Sequence, residues 1–153
     1  MLGQCVPDMI EGGFDLSVVV AHALSDSSFV SQYIGAGYAV LCASPQYVEQ
    51  HGMPDSIDAL DDHICLQLLL GDSPRGQWIF DGADLPVFRH RQLVPFSMNI
   101  AEAMVQSLCK GMGIGPLSIR VALPYLRDGS LVRVLPALHL QHNNIYALYP
   151  SRH

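Results

Sequence analysis

An α/β fold is what this sequence predicts, and three observations predict it. Helix-type and strand-type segments alternate along the chain, the pattern of βαβ units on a largely parallel sheet. Half of the 153 residues are hydrophobic and only 14% are charged, enough for one folded domain with a real core. Residues 97–117 (SMNIAEAMVQSLCKGMGIGPL) spell out a helix unit with both ends specified.

The elements follow in order. Residues 6–13 (VPDMIEGG) read as a helix end closed by glycine, and 14–20 (FDLSVVV) as a short buried strand. Ser25 to Ser28 form a polar loop. Two strand-type runs occupy 29–44 (FVSQYIGAGYAVLCAS) around Gly35 and Gly37. Ser44 then stands as cap of a helix with Pro45 at its first position and Gly52 at its end. Residues 54–60 predict a second short helix with Ser56 as cap. For 63–70 (HICLQLLL) a strand and a buried helix stay equally open, because so short an apolar run has no distinguishing period.

Gly71 to Gly76 make a loop, Trp78 to Phe80 a short strand and Asp81-Gly82 a turn. Pro86 to Pro95 predict another strand, carrying Arg89, His90 and Arg91. In the helix unit, Asn99 sits where an N-cap belongs, and Glu102 three residues later completes a capping box. Ile100, Ala103, Met104 and Leu108 recur at helical spacing, so this face reads as buried, while Lys110 and Gly111 carry the stop signals. Gly113, Ile114, Gly115 and Pro116 lead through a tight turn into a strand. Val121 to Arg127 predict a helix ended by Asp128-Gly129, 131–135 (LVRVL) a strand by alternation, and 145–149 (IYALY) a last strand.

Charge and composition exclude several roles. The formal charge is −6 with no run of Lys or Arg, so this chain by itself repels phosphate backbones and binds nucleic acid poorly. No apolar run approaches the ~20 residues that span a bilayer. Cys5, Cys42, Cys65 and Cys109 are scattered without a Cys-x-x-Cys pair, and no export signal is read, so free thiols in a cytoplasmic protein are expected.

Few residues announce chemistry. A helix start presents unpaired N–H groups and the positive end of a dipole, which receive an anion, and Ser97 and Asn99 add polar groups there. Capping alone accounts for the same residues. His139-x-x-His142 is the nearest histidine pair, but zinc needs three or four ligands, and exposed loop histidines are the plainer reading. Arg89 and Arg91 share a strand face, which is a solvated face or an anion contact. There is no Gly-x-Ser-x-Gly elbow and no phosphate-cradling loop, and Cys109 sits at a helix end whose dipole raises a thiol pKa.

Taken in order, FDLSVVV, LSDSSFVSQYIGAGYAVLCASPQYVEQHG, SIDALDDHICLQL, WIFDG, SMNIAEAMVQSLCKGMGIGPL, LRDGSLVRVLP and YALYPSRH resemble the effector-binding (substrate-binding) domain of LysR-type transcriptional regulators. CASPQYVEQHG and YALYPSRH are the most telling. The resemblance implies a fold like the type 2 periplasmic binding proteins: two α/β lobes joined by crossover strands, with a ligand cleft between them. Lobe I would be 1–37 with 146–153, lobe II 38–145, and the crossovers would lie near 37–40 and 144–147. Against the family pattern the chain looks truncated at both ends. The winged helix-turn-helix domain and its linker helix are absent, and the first lobe is incomplete. Proline also stands two places early after the capped helix, at Pro116.

Carried over position by position, the resemblance implies ligand-lining roles for Ser97, Met98 and Asn99 at the helix entry and for Gly37 and Tyr38 at the first crossover. Ile114 and Gly115 would approach from the far side of the turn. Each has a plainer reading: capping for the first group, a hinge glycine beside a core tyrosine for the second, loop packing for the third. The implied function is binding of a small effector, for which an anion suits the helix start, with no catalytic residue, metal or cofactor. The implied partners are further copies of the chain, and DNA only through the missing domain. A solute-binding protein of the same fold and a small α/β hydrolase stand as alternatives.

Overall fold

The computed structural model describes residues 2–3, 16–21, 29–69, 76–82, 84–89 and 96–150. The expected helix end at 6–13, the loop at 25–28, Cys5 and Arg91 lie outside the described residues. The elements are β1 (Leu2–Gly3), β2 (Ser17–Ala21), β3 (Phe29–Gly37), β4 (Ala39–Ala43), α1 (Pro45–His51), a 3-10 turn (Asp58–Asp62), β5 (Gln67–Leu68), β6 (Gln77–Trp78), β7 (Phe88–Arg89), β8 (Ser97–Met98), α2 (Ala101–Cys109), β9 (Gly115–Ser118), α3 (Ile119–Asp128), β10 (Val132–Val134) and β11 (Asn143–Pro150). Residues 63–70, open between strand and helix in the sequence, are extended where described, through Cys65 and β5.

The chain divides into two compact units, the first holding β1, β2, β3 and β11, the second the described residues from Tyr38 to Gln141. The return to the first unit comes after Gln141, earlier than the expected boundary at 146. Asn143, Asn144 and Ile145 already pair with Gly37, Ala36 and Gly35 of β3. In the first unit the strand order is β1-β2-β11-β3, with β11 antiparallel to both neighbours. Val19 and Leu148 form its buried centre, with Tyr146 packed against them.

In the second unit β4 is the middle strand of β10-β4-β9 and is buried on both faces. Successive side chains of a strand point to opposite sides, so Val40 and Cys42 enter one cluster and Leu41 and Ala43 the other. The first cluster gathers α2 and α3 through Met104, Val105, Leu108 and Ala122. The second gathers α1 and the 3-10 turn through Tyr47 and Leu60, with Trp78, Phe80 and Phe88. An unbroken apolar strand (AVLCA) is what a position covered on both sides requires.

The expectation of a largely parallel sheet is corrected here. Both neighbours of β4 run antiparallel to it, as do both neighbours of β11, and among the described strands only β1–β2 and β5–β8 are parallel pairs. The crossover itself exists: β9, α3 and β10 form a βαβ unit whose two strands are parallel to each other. β4 lies between them, so the strand a crossover returns to is not the strand it pairs with. Alternation in sequence predicts the unit but not the inserted neighbour.

Candidate functional site

The entry to α2 is assembled from two short parallel strands. Gln67 and Leu68 of β5 face Ser97 and Met98 of β8, tied by Gln67 N–H to the Phe96 carbonyl at 3.1 Å and Leu69 N–H to the Met98 carbonyl at 2.7 Å. Strand alternation sends Met98 inward, half-buried against the cluster that holds Met104 and Leu108, and leaves Ser97 exposed. Asn99 follows, also exposed, and the chain stays extended through Ile100 (φ −124°, ψ 123°) before α2 begins at Ala101.

The capping box expected at Asn99 and Glu102 is therefore not formed. Ile100 occupies the N-cap position and has no side-chain capping hydrogen bond; Glu102 falls at the second helical position, not the third. The reason is the strand pairing. β5 holds the chain extended through Met98, so the helix starts one residue later than the local pattern specifies. The first-turn N–H groups of α2 thus receive no cap from Ile100, while Ser97 and Asn99 stand exposed just ahead of them. Phe96, which the sequence did not single out, flanks this entry at 50% exposure, and the buried face expected of Ile100 and Ala103 is corrected here, for both are exposed, Ile100 at 55%. Apolar residues beside a helix start read as buried in a sequence, and only the structure reveals that these face outward.

The other candidates take structural places. Ile114 is fully buried, and its N–H donates to the Ile64 carbonyl at 2.8 Å while its carbonyl accepts Leu66 N–H at 2.8 Å. Gly115 is pressed onto α2: a Cβ there would lie 2.6 Å from Met104 Sδ. Both pack the turn onto the sheet. Tyr38 is half-buried at the edge of the α2 and α3 cluster, with its carbonyl accepting Ile119 N–H at 3.0 Å and its ring tilted against His139 at 4.8 Å. Gly37 closes β3 in the first unit, and a Cβ there would meet nothing within 4 Å.

His139 is not a solitary loop histidine. Its Nε2 lies 3.0 Å from Asp81 Oδ2, and backbone bonds between Asp81 and His139 and between Ile79 and Gln141 fix the pair. Arg89 is exposed at the end of β7. The thiols are poor nucleophiles. Burial pushes Cys42 and Cys65 up to about 12, and burial with the neighbouring Asp128 carboxylate raises Cys109, so all three stay protonated at neutral pH.

The family model described as the LysR substrate binding domain matches residues 2–153. This chain belongs to that family. It is 31% identical over 146 residues to the HTH-type transcriptional activator TtdR of Escherichia coli (strain UTI89), covering 93% of this chain and 45% of the relative. To the HTH-type transcriptional regulator DmlR of Escherichia coli K12 it is 31% identical over 147 residues, covering 95% and 46%. The chain thus spans about half the length of these curated relatives. Among solved structures, the regulatory domain of the C227S variant of AphB from Vibrio vulnificus superposes with a TM-score of 0.76 at 29% identity, covering 91% of this chain and 68% of that one. Full-length AphB from Vibrio cholerae, titled a virulence activator of the LTTR family, gives 0.78 at 26% identity over 92% of this chain and 47% of that one. The fold is the type 2 periplasmic-binding-protein-like α/β fold of these LysR-type regulatory domains. These relatives are transcription regulators, which does not favour a transporter's solute receptor or a hydrolase. No helix among the described residues is long and apolar enough to cross a membrane.

Proposed function

We propose that this chain is the effector-sensing part of a LysR-type transcriptional regulator, and that it holds a small acidic molecule at the entry to α2. The reading places the chain in the cytoplasm, working as an oligomer and contacting DNA through a domain outside it. It acts by binding and not by turnover. A bound effector alters such a regulator only by preferring one of its arrangements over another.

The observation that supports the site is the uncapped start of α2 with Ser97 and Asn99 exposed beside it. Open N–H groups and the helix dipole favour a carboxylate there, and two polar side chains are at hand to orient it. Phe96 and Ile100 offer apolar surface for the body of the molecule. Glu102 in the first turn opposes an anion, so recognition depends on the directed hydrogen bonds of Ser97 and Asn99 more than on net charge. The test is a thermal-shift panel of small mono- and dicarboxylates beside their neutral amides. Stabilisation by a carboxylate that disappears in Asn99→Ala and Ser97→Ala is expected. Stabilisation that survives both substitutions, or that the amides produce equally, overturns the assignment.

A further inference from the structure

The run that leads into β5, the pairing partner of β8, is held at its start by a buried side chain. Tyr47, on α1 and almost fully buried, places its hydroxyl against the backbone at residues 63–64. Ile64 N–H donates to Tyr47 Oη at 3.1 Å, and Tyr47 Oη lies 2.8 Å from His63 Nδ1. The hydroxyl oxygen accepts from Ile64, and its own proton is free to donate to His63 when Nδ1 carries a lone pair. With Nδ1 accepting, His63 is the neutral tautomer that carries its proton on Nε2. The extended run continues from Ile64 to Leu69, accepting Ile114 N–H, donating from Leu66 to the Ile114 carbonyl, and pairing Gln67 and Leu68 with Ser97 and Met98.

We propose that Tyr47 and His63 are a positioning pair for the effector-holding strand, and that protonating His63 at mildly acid pH loosens the run that aligns Ser97 and Met98. The proposal rests on the effector site assigned above. A proton on Nδ1 sets two donors against each other, and the hydroxyl must turn its own hydrogen away from the ring.

The surroundings act in the same sense. The His51 ring stacks on Tyr47 at 4.5 Å with planes 20° apart, and the two rings of Tyr47 and His63 lie 5.8 Å apart. Burial first, then the charge of His51, hold His63 below its ordinary value of 6.5, while Asp62 of its own turn pulls the other way. Tyr47 itself is pushed up by burial, and the nearby Cys65 is a neutral thiol. A histidine that releases its proton more readily when folded leaves the folded state with fewer protons than the unfolded one. Its contribution is complete above about 6.5 and is lost as pH falls through the folded value.

The experiment is amide hydrogen exchange of the full chain between about pH 7.5 and 5.5, corrected for intrinsic rates, with carboxylate thermal shifts alongside. Protection at Ile64, Leu66, Gln67 and Leu69 should fall roughly threefold or more across that range, against a constant background in α3. His63→Asn keeps an acceptor near the Nδ1 position without titrating, and should retain protection and flatten the profile. Tyr47→Phe should lose protection at all pH values, and Tyr47→Phe with a melting point near wild type remains informative through the exchange alone. An unchanged pH profile in His63→Asn overturns the proposal, as does a profile abolished only by His51→Asn. A carboxylate shift with flat exchange overturns the pair and leaves the site standing. Titrating exchange with no carboxylate shift supports the pair as holding the strand and counts against the effector assignment.

Discussion

Two helices of the second unit leave a strand in the same way and begin differently. α1 starts from Ser44, 2% exposed, whose Oγ accepts Tyr47 N–H at 3.1 Å, with Pro45 preset at the first position. α2 starts from Ile100, which is exposed and has no side-chain capping bond. A missing cap costs about 1 kcal/mol. The closed start belongs to a helix that packs Tyr47 into the core. The open start belongs to the helix whose entry carries the exposed polar residues. A helix end filled by its own side chain has nothing left to offer a ligand, whereas the first-turn N–H groups of α2 take no cap from Ile100.

The turn after α2 gives the largest test. A Cβ at Gly113 would run into the Ile64 backbone carbonyl, which is held by Ile114 N–H and cannot step aside. Gly113→Ala should cost about 3 kcal/mol, read as a lowered urea midpoint; a cost near zero would mean that the Ile64 carbonyl gives way. Ser44→Ala comes next, at about 1–2 kcal/mol with the carboxylate response unchanged. Ile100→Asp sharpens the contrast from the other side, because it installs the cap that α2 lacks at a position with little burial to lose. It should stabilise by about 1 kcal/mol and suppress the carboxylate shift, since the same N–H groups are then occupied. Stabilisation with an unaltered shift would place the ligand elsewhere. The smallest effect belongs to Asn99→Ala: less than about 0.5 kcal/mol in the urea midpoint, because no capping bond is lost, with the carboxylate shift gone.

The same pair of helices explains what a linear reading captures. The α1 signals agree with one another: Ser44 caps, Pro45 opens, and Gly52, at φ 83°, ends it. The α2 signals have the same form, yet the helix starts past Asn99, because β5 holds residues 97–98 extended and a partner thirty residues away outweighs a local capping preference. The short helix expected at 54–60 shows a milder version. Ser56 Oγ does accept Ala59 N–H at 3.2 Å, but the turn tightens into 3-10 geometry over Asp58–Asp62. Of the proposed site, Ser97, Met98 and Asn99 were legible from position in the motif, and the burial of Ile114 and the outward faces of Phe96 and Ile100 were not.

By itself, the sequence determined most of the helix and strand segments (though not 63–70 or the strand at Ser97–Met98), where Ser44 and Gly129 bound two of them, and the family through the order of its motifs. Each depends on contacts within a few residues or on pattern alone. Only the tertiary structure decided that β4 separates β9 from β10, that α2 is left uncapped, and that Tyr47 reaches His63 and Ile64. Those depend on which distant strand supplies the hydrogen-bond partner, and no local preference encodes that choice.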